Sequence, residues 1–228
     1  MTIYFLGNSF CRLCHSSTDA LLRELDVCSK GLNLKGLLLP RHGASARLPG
    51  SSRVYFTGLS TGVEVEDNTS SHNSNDYDRD HVHSPEVNLH LSIYRRRQDV
   101  NAVFHARSPL VYVATRDGVI DTVHAEATLV LSDIMIVGDD SPEAIASASV
   151  GEPLRPVRVI VHRDEVYSIG ACIHEARAFM EIIDEWARVK VMSSVLGGAR
   201  YPITLERLRS VGARYARSIK FGGRGIVR

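Results

Sequence analysis

Several short groupings in this chain hold side chains able to bind a metal, carry a proton or grip an anion. His105 and Arg107 flank Ala106 in the run Asn101 to Arg107, NAVFHAR, which reads as a strand. Residues two apart on a strand face the same way. Two histidines at that spacing would offer side-by-side imidazoles to a tetrahedral ion. With arginine second, the neighbour is a permanent cation without a lone pair, which repels a metal at ligand distance. Such a guanidinium suits a carboxylate or phosphate held by two parallel hydrogen bonds, or a salt-bridge partner. His162 and Asp164 repeat the spacing and also share a strand face. Glu86 falls in the first turn of a helix expected from Ser84, where the helix dipole alone would favour a carboxylate.

Other groupings carry less. Cys11-Arg12-Leu13-Cys14-His15 has the haem c attachment spacing. That attachment requires export, and Ile3 to Leu6 is too short for a secretory apolar segment of roughly 7–15 residues. A chance pattern, a surface thiol pair or a redox dithiol remain. A cytoplasmic protein with free thiols is therefore expected. His81 and His83 adjoin the polar run Glu66 to Asp80 and read as solvated. From Arg200 to Arg228 the chain carries eight basic residues against Glu206 alone. Such a tail can bind an anionic partner, lie in solvent or make a subunit contact. The whole chain is nearly neutral, with 27 Lys and Arg against 26 Asp and Glu, so nucleic-acid binding is not expected.

The elements that must position these residues follow from pattern. The chain has 228 residues, 44% hydrophobic and 23% charged, enough for a sizeable core and without a membrane-spanning apolar stretch. Ser17 or Thr18 can cap a helix to Lys30, with Leu21, Leu25 and Cys28 on one face and Gly31 as its stop. LKGLLLP, ASARLPG and SRVYFTG read as short strands. Ser84-Pro85, Ser108-Pro109 and Ser141-Pro142 each place an N-cap before a proline suited to the first helical position. Val157 to Ile169 reads as a hairpin turning near Arg163-Asp164-Glu165. Cys172 to Leu196 is the longest helical pattern, and Thr204 to Ser218 a further helix. The expectation is a single α/β domain with a central, mostly antiparallel sheet flanked by helices. It would span residues 21–200, between an N-terminal extension at 1–20 and a basic helix and tail at 201–228.

Residues 84–109, SPEVNLHLSIYRRRQDVNAVFHARSP, resemble the class II aldolase/adducin family, typified by fuculose-phosphate aldolase. That family carries S-S-E-x-x-x-H-x-x-x-Y, a basic stretch with P-D, then A-V-x-H-x-H. Ser84, Glu86, His90, Tyr94, Asp99, Ala102, Val103 and His105 stand in register. Upstream, Gly43-Ala44-Ser45-Ala46-Arg47 and Phe56-Thr57-Gly58 resemble its phosphate-binding loops. Downstream, Val166 to Gly170 and His174-Glu175-Ala176 resemble its last strand and long helix. The resemblance covers about Leu21 to Leu196.

The resemblance implies a divalent metal, usually zinc, held by three histidines, and a glutamate acting as acid and base. By position Glu86 is the acid/base, His105 a metal ligand, and Gly43, Thr57, Gly58 and Ser84 line a phosphate site. Arg107 stands where the family has its second histidine, and Asp164 where the spacing to Gly170 puts the third. Gly43 replaces an asparagine and Pro85 a serine. A set of His105, His162 and Asp164 would suit Fe(II) or another divalent ion. Three functions follow. The first is a metal-assisted lyase on a small phosphorylated or carboxylated sugar-like substrate. The second is a rewired enzyme with Arg107 as anion clamp, acting as decarboxylase, dehydratase or epimerase. The third is a non-catalytic assembly protein like adducin. The family also implies a homo-oligomer, commonly a tetramer. Set apart from the resemblance, Glu86 reads as a dipole charge, and His105 and His90 as packed core residues.

Overall fold

A computed structural model describes residues 17–38, 43–59, 62–65, 84–116, 123–125, 127, 134–138, 141–150, 157–198 and 210. The Cys11–Cys14 motif, His81 and His83, the run 66–80 and nearly all of the basic C-terminal stretch lie outside these residues. So does the helix expected over Thr204 to Ser218, apart from residue 210.

The helices begin where hydroxyl caps occur. In α1 (Thr18–Leu34), α2 (Pro85–Arg96), α3 (Pro109–Thr115) and α4 (Pro142–Ala148), the preceding serine accepts a hydrogen bond from the amide three residues on. Each bond satisfies an amide that the helix itself leaves without a partner. The proline opening α2, α3 and α4 loses nothing, because its missing N–H would have had no helical acceptor. The longest helix, α5 (Ile173–Val195), begins at Cys172, which makes no side-chain capping bond. Cys172 is disulfide-bonded, so the expectation of free thiols fails for this residue.

Helix α1 passes through Gly31 and ends three residues later. Gly36, at φ 69°, turns the chain, its amide bonding Asn33 O and that of Leu37 bonding Leu32 O. This is the Schellman arrangement, and only glycine adopts that backbone without strain. Buried Leu32 and Leu37 supply its usual apolar contact. The described part of the run LKGLLLP, residues 34–38, is therefore a helix end and cap rather than a strand.

Among the described residues, seven strands form one sheet in the order β3-β2-β1-β4-β7-β6-β5. They are β1 (Ala44–Arg47), β2 (Arg53–Phe56), β3 (Val63–Glu64), β4 (Ala102–Arg107), β5 (Ile134–Val137), β6 (Val159–His162) and β7 (Glu165–Gly170). All pairings are antiparallel except β5 with β6. Arg163, at φ 52°, and Asp164 make the two-residue turn between β6 and β7. The α/β expectation, a mostly antiparallel sheet flanked by helices, holds.

Alternation divides the sheet into two buried faces. One presents Ala44, Ala46, Ala102, Phe104, Ala106, Val159, Val161 and Val166 to α1, α3 and α5. The four alanines leave room for Phe179, Met180, Ile183 and Trp186 of α5. The other face presents Val54, Phe56, Val103, Ile160, Tyr167 and Ile169 to α2 and α4.

Gly170 ends β7 beneath the start of α5. A Cβ there would stand 2.5 Å from the backbone N of Ala176 and 2.9 Å from the carbonyl O of Cys172. Backbone cannot swing aside as a flexible side chain can, so Gly170→Ala should cost about 1–3 kcal/mol by overpacking. Urea denaturation reads this directly; an unchanged midpoint would contradict the close approach.

Candidate active site

The second face of the sheet carries polar residues among its apolar ones, and the register sets which of them meet. His105 pairs with Tyr167, and Arg107 with Glu165. Glu165 pairs on its other side with His162. Opposite partners in an antiparallel ladder point to the same side, so all five share the face beneath α2.

His105 is buried, 2% exposed. Its ring stacks on Tyr167 with centroids 4.1 Å apart. Its Nε2 lies 3.6 Å from Glu165 Oε2, a charge-pair separation longer than a hydrogen bond. Neither ring nitrogen makes a hydrogen bond to the described residues. Burying an imidazole this way is costly, and a bound ligand supplying a partner would recover part of that cost.

Glu165 is the electrostatic centre. Its Oε2 accepts a 2.7 Å hydrogen bond from the Tyr167 hydroxyl, and its Oε1 lies 3.6 Å from Arg107 Nη2. His105 is the largest influence on its carboxyl. With Tyr167 and Arg107 it outweighs burial and holds the group down at about 2. Tyr167 moves the opposite way: burial, the Glu165 bond and the nearby charge of Glu86 push its hydroxyl above the ordinary tyrosine range. Tyr167 is thus a standing donor, and α2, which carries Glu86, packs on this face of the sheet.

Glu86 reaches this position through α2. It is half-buried in the first turn, four residues before His90 on the same helix face. His90 Nδ1 bonds Ser45 Oγ of β1 at 2.8 Å, and the Tyr94 hydroxyl donates to Ser45 O at 3.0 Å. Buried Arg47 bonds the carbonyls of Val100 and Arg97 at 3.0 Å. The Arg97 guanidinium grips Asp99 with two 2.7 Å bonds and donates to Val157 O. The matching residues His90, Tyr94 and Asp99 therefore fasten α2 to the sheet.

The expected phosphate residues gather at the neighbouring strand ends. His105 N donates to Gly43 O at 2.6 Å, and Thr57 N donates to Ala44 O at 2.9 Å. Gly58, Gly43 and His105 thus follow one another across β2, β1 and β4. The Thr57 hydroxyl bonds the Ala44 backbone, and Ser84 Oγ caps α2.

The expected metal ligands lie differently. His162 is on β6, separated from β4 by β7, so the two strands run about 10 Å apart. Asp164 Oδ2 is 3.2 Å from Arg107 Nε. The donor atoms of His105, His162 and Asp164 do not gather within 4.8 Å of one another; among the described residues Glu24, Cys28 and His174 do. At two of the three positions matching the family's histidines stands an arginine paired with an aspartate. That donor set does not fit a three-ligand metal centre. Glu165 and Tyr167 escaped the sequence reading. Their only signal was alternation along β7, which means nothing until the register with β4 is known.

The sequence family described as the class II aldolase and adducin N-terminal domain matches residues 57–191. The chain belongs to that family. Among solved structures it is similar to L-fuculose 1-phosphate aldolase from Glaciozyma antarctica PI12, with TM-score 0.62 and 16% identity over 85% of this chain and 82% of that one. It is similar to YgbL from Escherichia coli, with TM-score 0.63 and 17% identity over 84% and 97%. It is also similar to L-fuculose-1-phosphate aldolase from Thermus thermophilus, with TM-score 0.58 and 17% identity over 78% and 96%. At such identities the likeness concerns the fold. No curated protein sequence matches the chain. Among the described residues no helix is long and apolar enough to cross a membrane.

The Glu165 carboxyl sits below its ordinary value of 4.5 in the folded chain. Its contacts therefore contribute stability above about 4.5 and lose it as pH falls through about 2. Urea midpoints of the wild type and Glu165→Gln should differ near neutral pH and converge towards pH 2. A gap independent of pH would show that Glu165 is not so held.

Proposed function

We propose that the chain is a lyase of aldolase type, cleaving or forming a carbon–carbon bond in a small sugar-like substrate with a phosphate or carboxylate group. Glu86 is the acid/base. In the cleavage direction the bond between the carbon next to the carbonyl and the hydroxyl-bearing carbon breaks. The hydroxyl proton passes to the Glu86 carboxylate as that carbon becomes an aldehyde, and the electron pair of the broken bond passes into the carbonyl to form an enediolate. Glu86 then returns a proton to carbon. Arg107 meets the negative charge on the enediolate oxygen, where a fixed cation stabilises charge as it develops. Its guanidinium is 58% exposed on the side chain while Asp164 and Glu165 aim it, so it is oriented and still open to a ligand. Gly43, Thr57, Gly58 and Ser84 border the anionic group of the substrate.

One observation supports this reading: α2, which carries Glu86, packs on the sheet face that bears His105 and its stacking partner Tyr167. Divalent-metal dependence is usual in this family, but the donor set above assigns no step to a metal. The Arg107–Asp164 pair favours the rewired form over the zinc-dependent one.

The assay is aldehyde release from ketose 1-phosphates after exhaustive chelation, with L-fuculose 1-phosphate tried first because two structural neighbours are aldolases for it. Cleavage should survive chelation. Activity that vanishes with the chelator and returns with zinc would restore a metal-dependent mechanism. Glu86→Gln should lower kcat by about 10²–10⁴-fold with KM little changed. Full turnover in that variant removes Glu86 from the chemistry. Arg107→Ala should lower kcat/KM by about 10²–10³-fold, the usual cost of losing one oxyanion-stabilising donor; unchanged kinetics would leave Arg107 a surface salt-bridge residue.

A further inference from the structure

On the opposite side of the sheet, α1 packs along α5, and Glu24, Cys28 and His174 meet where the helices touch. Glu24 and Cys28 are four residues apart on α1 and so share a face. His174 is the second residue of α5. Glu24 Oε1 lies 3.6 Å from Cys28 Sγ and 3.1 Å from His174 Nε2. Cys28 Sγ lies 4.0 Å from His174 Nδ1. A tetrahedral zinc with bonds of about 2.3 Å to sulfur and about 2.1 Å to oxygen or nitrogen sets its S···O and O···N ligand pairs about 3.6 and 3.4 Å apart. The Glu24–Cys28 separation agrees, the Glu24–His174 one is a few tenths of an ångström short, and one ligand atom from each of the three residues lies within 4.8 Å of the other two.

We propose that Glu24, Cys28 and His174 bind a zinc ion that clamps α1 to α5, on the opposite side of the sheet from Glu86. Thiolate, imidazole and carboxylate together select zinc or a similar borderline ion over magnesium or calcium. The carboxylate and thiolate carry two negative charges that balance the ion. Binding transfers the Cys28 thiol proton to solvent. Glu24 and His174 side chains are 33% and 37% exposed, leaving a way in for the ion and a fourth place for water. Cys28 itself is 1% exposed, which leaves no room for an organic substrate at sulfur. Burial pushes its thiol up, so the metal-free residue is a protonated thiol rather than a nucleophile.

The surroundings serve a metal thiolate. Arg177 Nη1 points at Cys28 Sγ from 3.8 Å, able to donate to the sulfur. Its positive charge is met by Glu181 Oε1 at 3.0 Å. Gly31 eases this approach, since a Cβ there would come within 3.3 Å of the guanidinium and press it back by a few tenths of an ångström. A glycine inside a helix costs roughly 0.5–1 kcal/mol relative to alanine, and here it makes room for Arg177.

The test is a Co(II) titration of the full chain, stripped by chelation and kept free of reductant. The expected result is one-to-one binding with a strong sulfur-to-cobalt charge-transfer band in the near ultraviolet. Cys28→Ser should abolish the band, and His174→Gln should weaken binding by about tenfold or more. Absence of the band in the wild type overturns the proposal, as does its survival in Cys28→Ser. X-ray absorption of the zinc-loaded wild type needs no variant. One sulfur at about 2.3 Å with oxygen and nitrogen at about 2.0–2.2 Å supports the site. A shell with no sulfur, or with two, overturns it.

Discussion

The ladder between β4 and β7 is the constraint on which the site depends. Its pairs run from Ala102 with Gly170 to Arg107 with Glu165, without a bulge. A slip of one residue would turn His105 and Arg107 into the apolar layer under α5 and bring Phe104 out towards α2. Both layers oppose that slip. Phe104 is fully buried among α5 side chains, and Tyr167 fills the space beneath α2. At the far end Gly170 admits the start of α5, so the same ladder anchors the longest helix. The geometry of the candidate site and core packing are thus one arrangement, read from opposite faces of the sheet.

The charges at the other end of the ladder serve position more than stability. Arg107 and Asp164 side chains are 58% and 44% exposed, and ion pairs this open contribute about 0–1 kcal/mol. Their consequence is chemical. Where the family resemblance places two histidines, this chain has a cation and an anion that neutralise one another. The cation cannot donate a lone pair, and the anion is already engaged. Glu165, not expected to matter, gathers Tyr167, His105 and Arg107 around one carboxylate. Its ionised state in turn holds Tyr167 as a hydrogen-bond donor on the face beneath α2.

The anchoring of α2 shows how the helix that carries Glu86 is held on the sheet. Ser45, Arg47, His90, Tyr94, Arg97 and Asp99 form a buried polar network that ties the helix to β1 and to the segment entering β6. Buried polar groups are costly unless satisfied, so such a network tolerates little displacement. The side chains that repeat the family pattern in α2 thereby fix the helix that carries Glu86 against the sheet.

Local order was written in the chain: Ser-Pro pairs opened three helices, alternation marked β1, β2, β4 and the β6–β7 hairpin, and the spacing from Ser84 to His105 identified the family. These depend on neighbours within a few residues, whose caps, turns and periodicity act through short-range backbone energetics. The end of α1 was misplaced because Gly31 accommodates Arg177, which lies far along the chain. Glu165 and Tyr167 were invisible for the same kind of reason, since their meaning comes from a partner strand about sixty residues away. The Arg107–Asp164 pair and the Glu24, Cys28 and His174 cluster likewise exist only once distant segments pack. A sequence determines what each segment can be, but which side chains share a cavity is decided when the burial of two sheet faces selects one register.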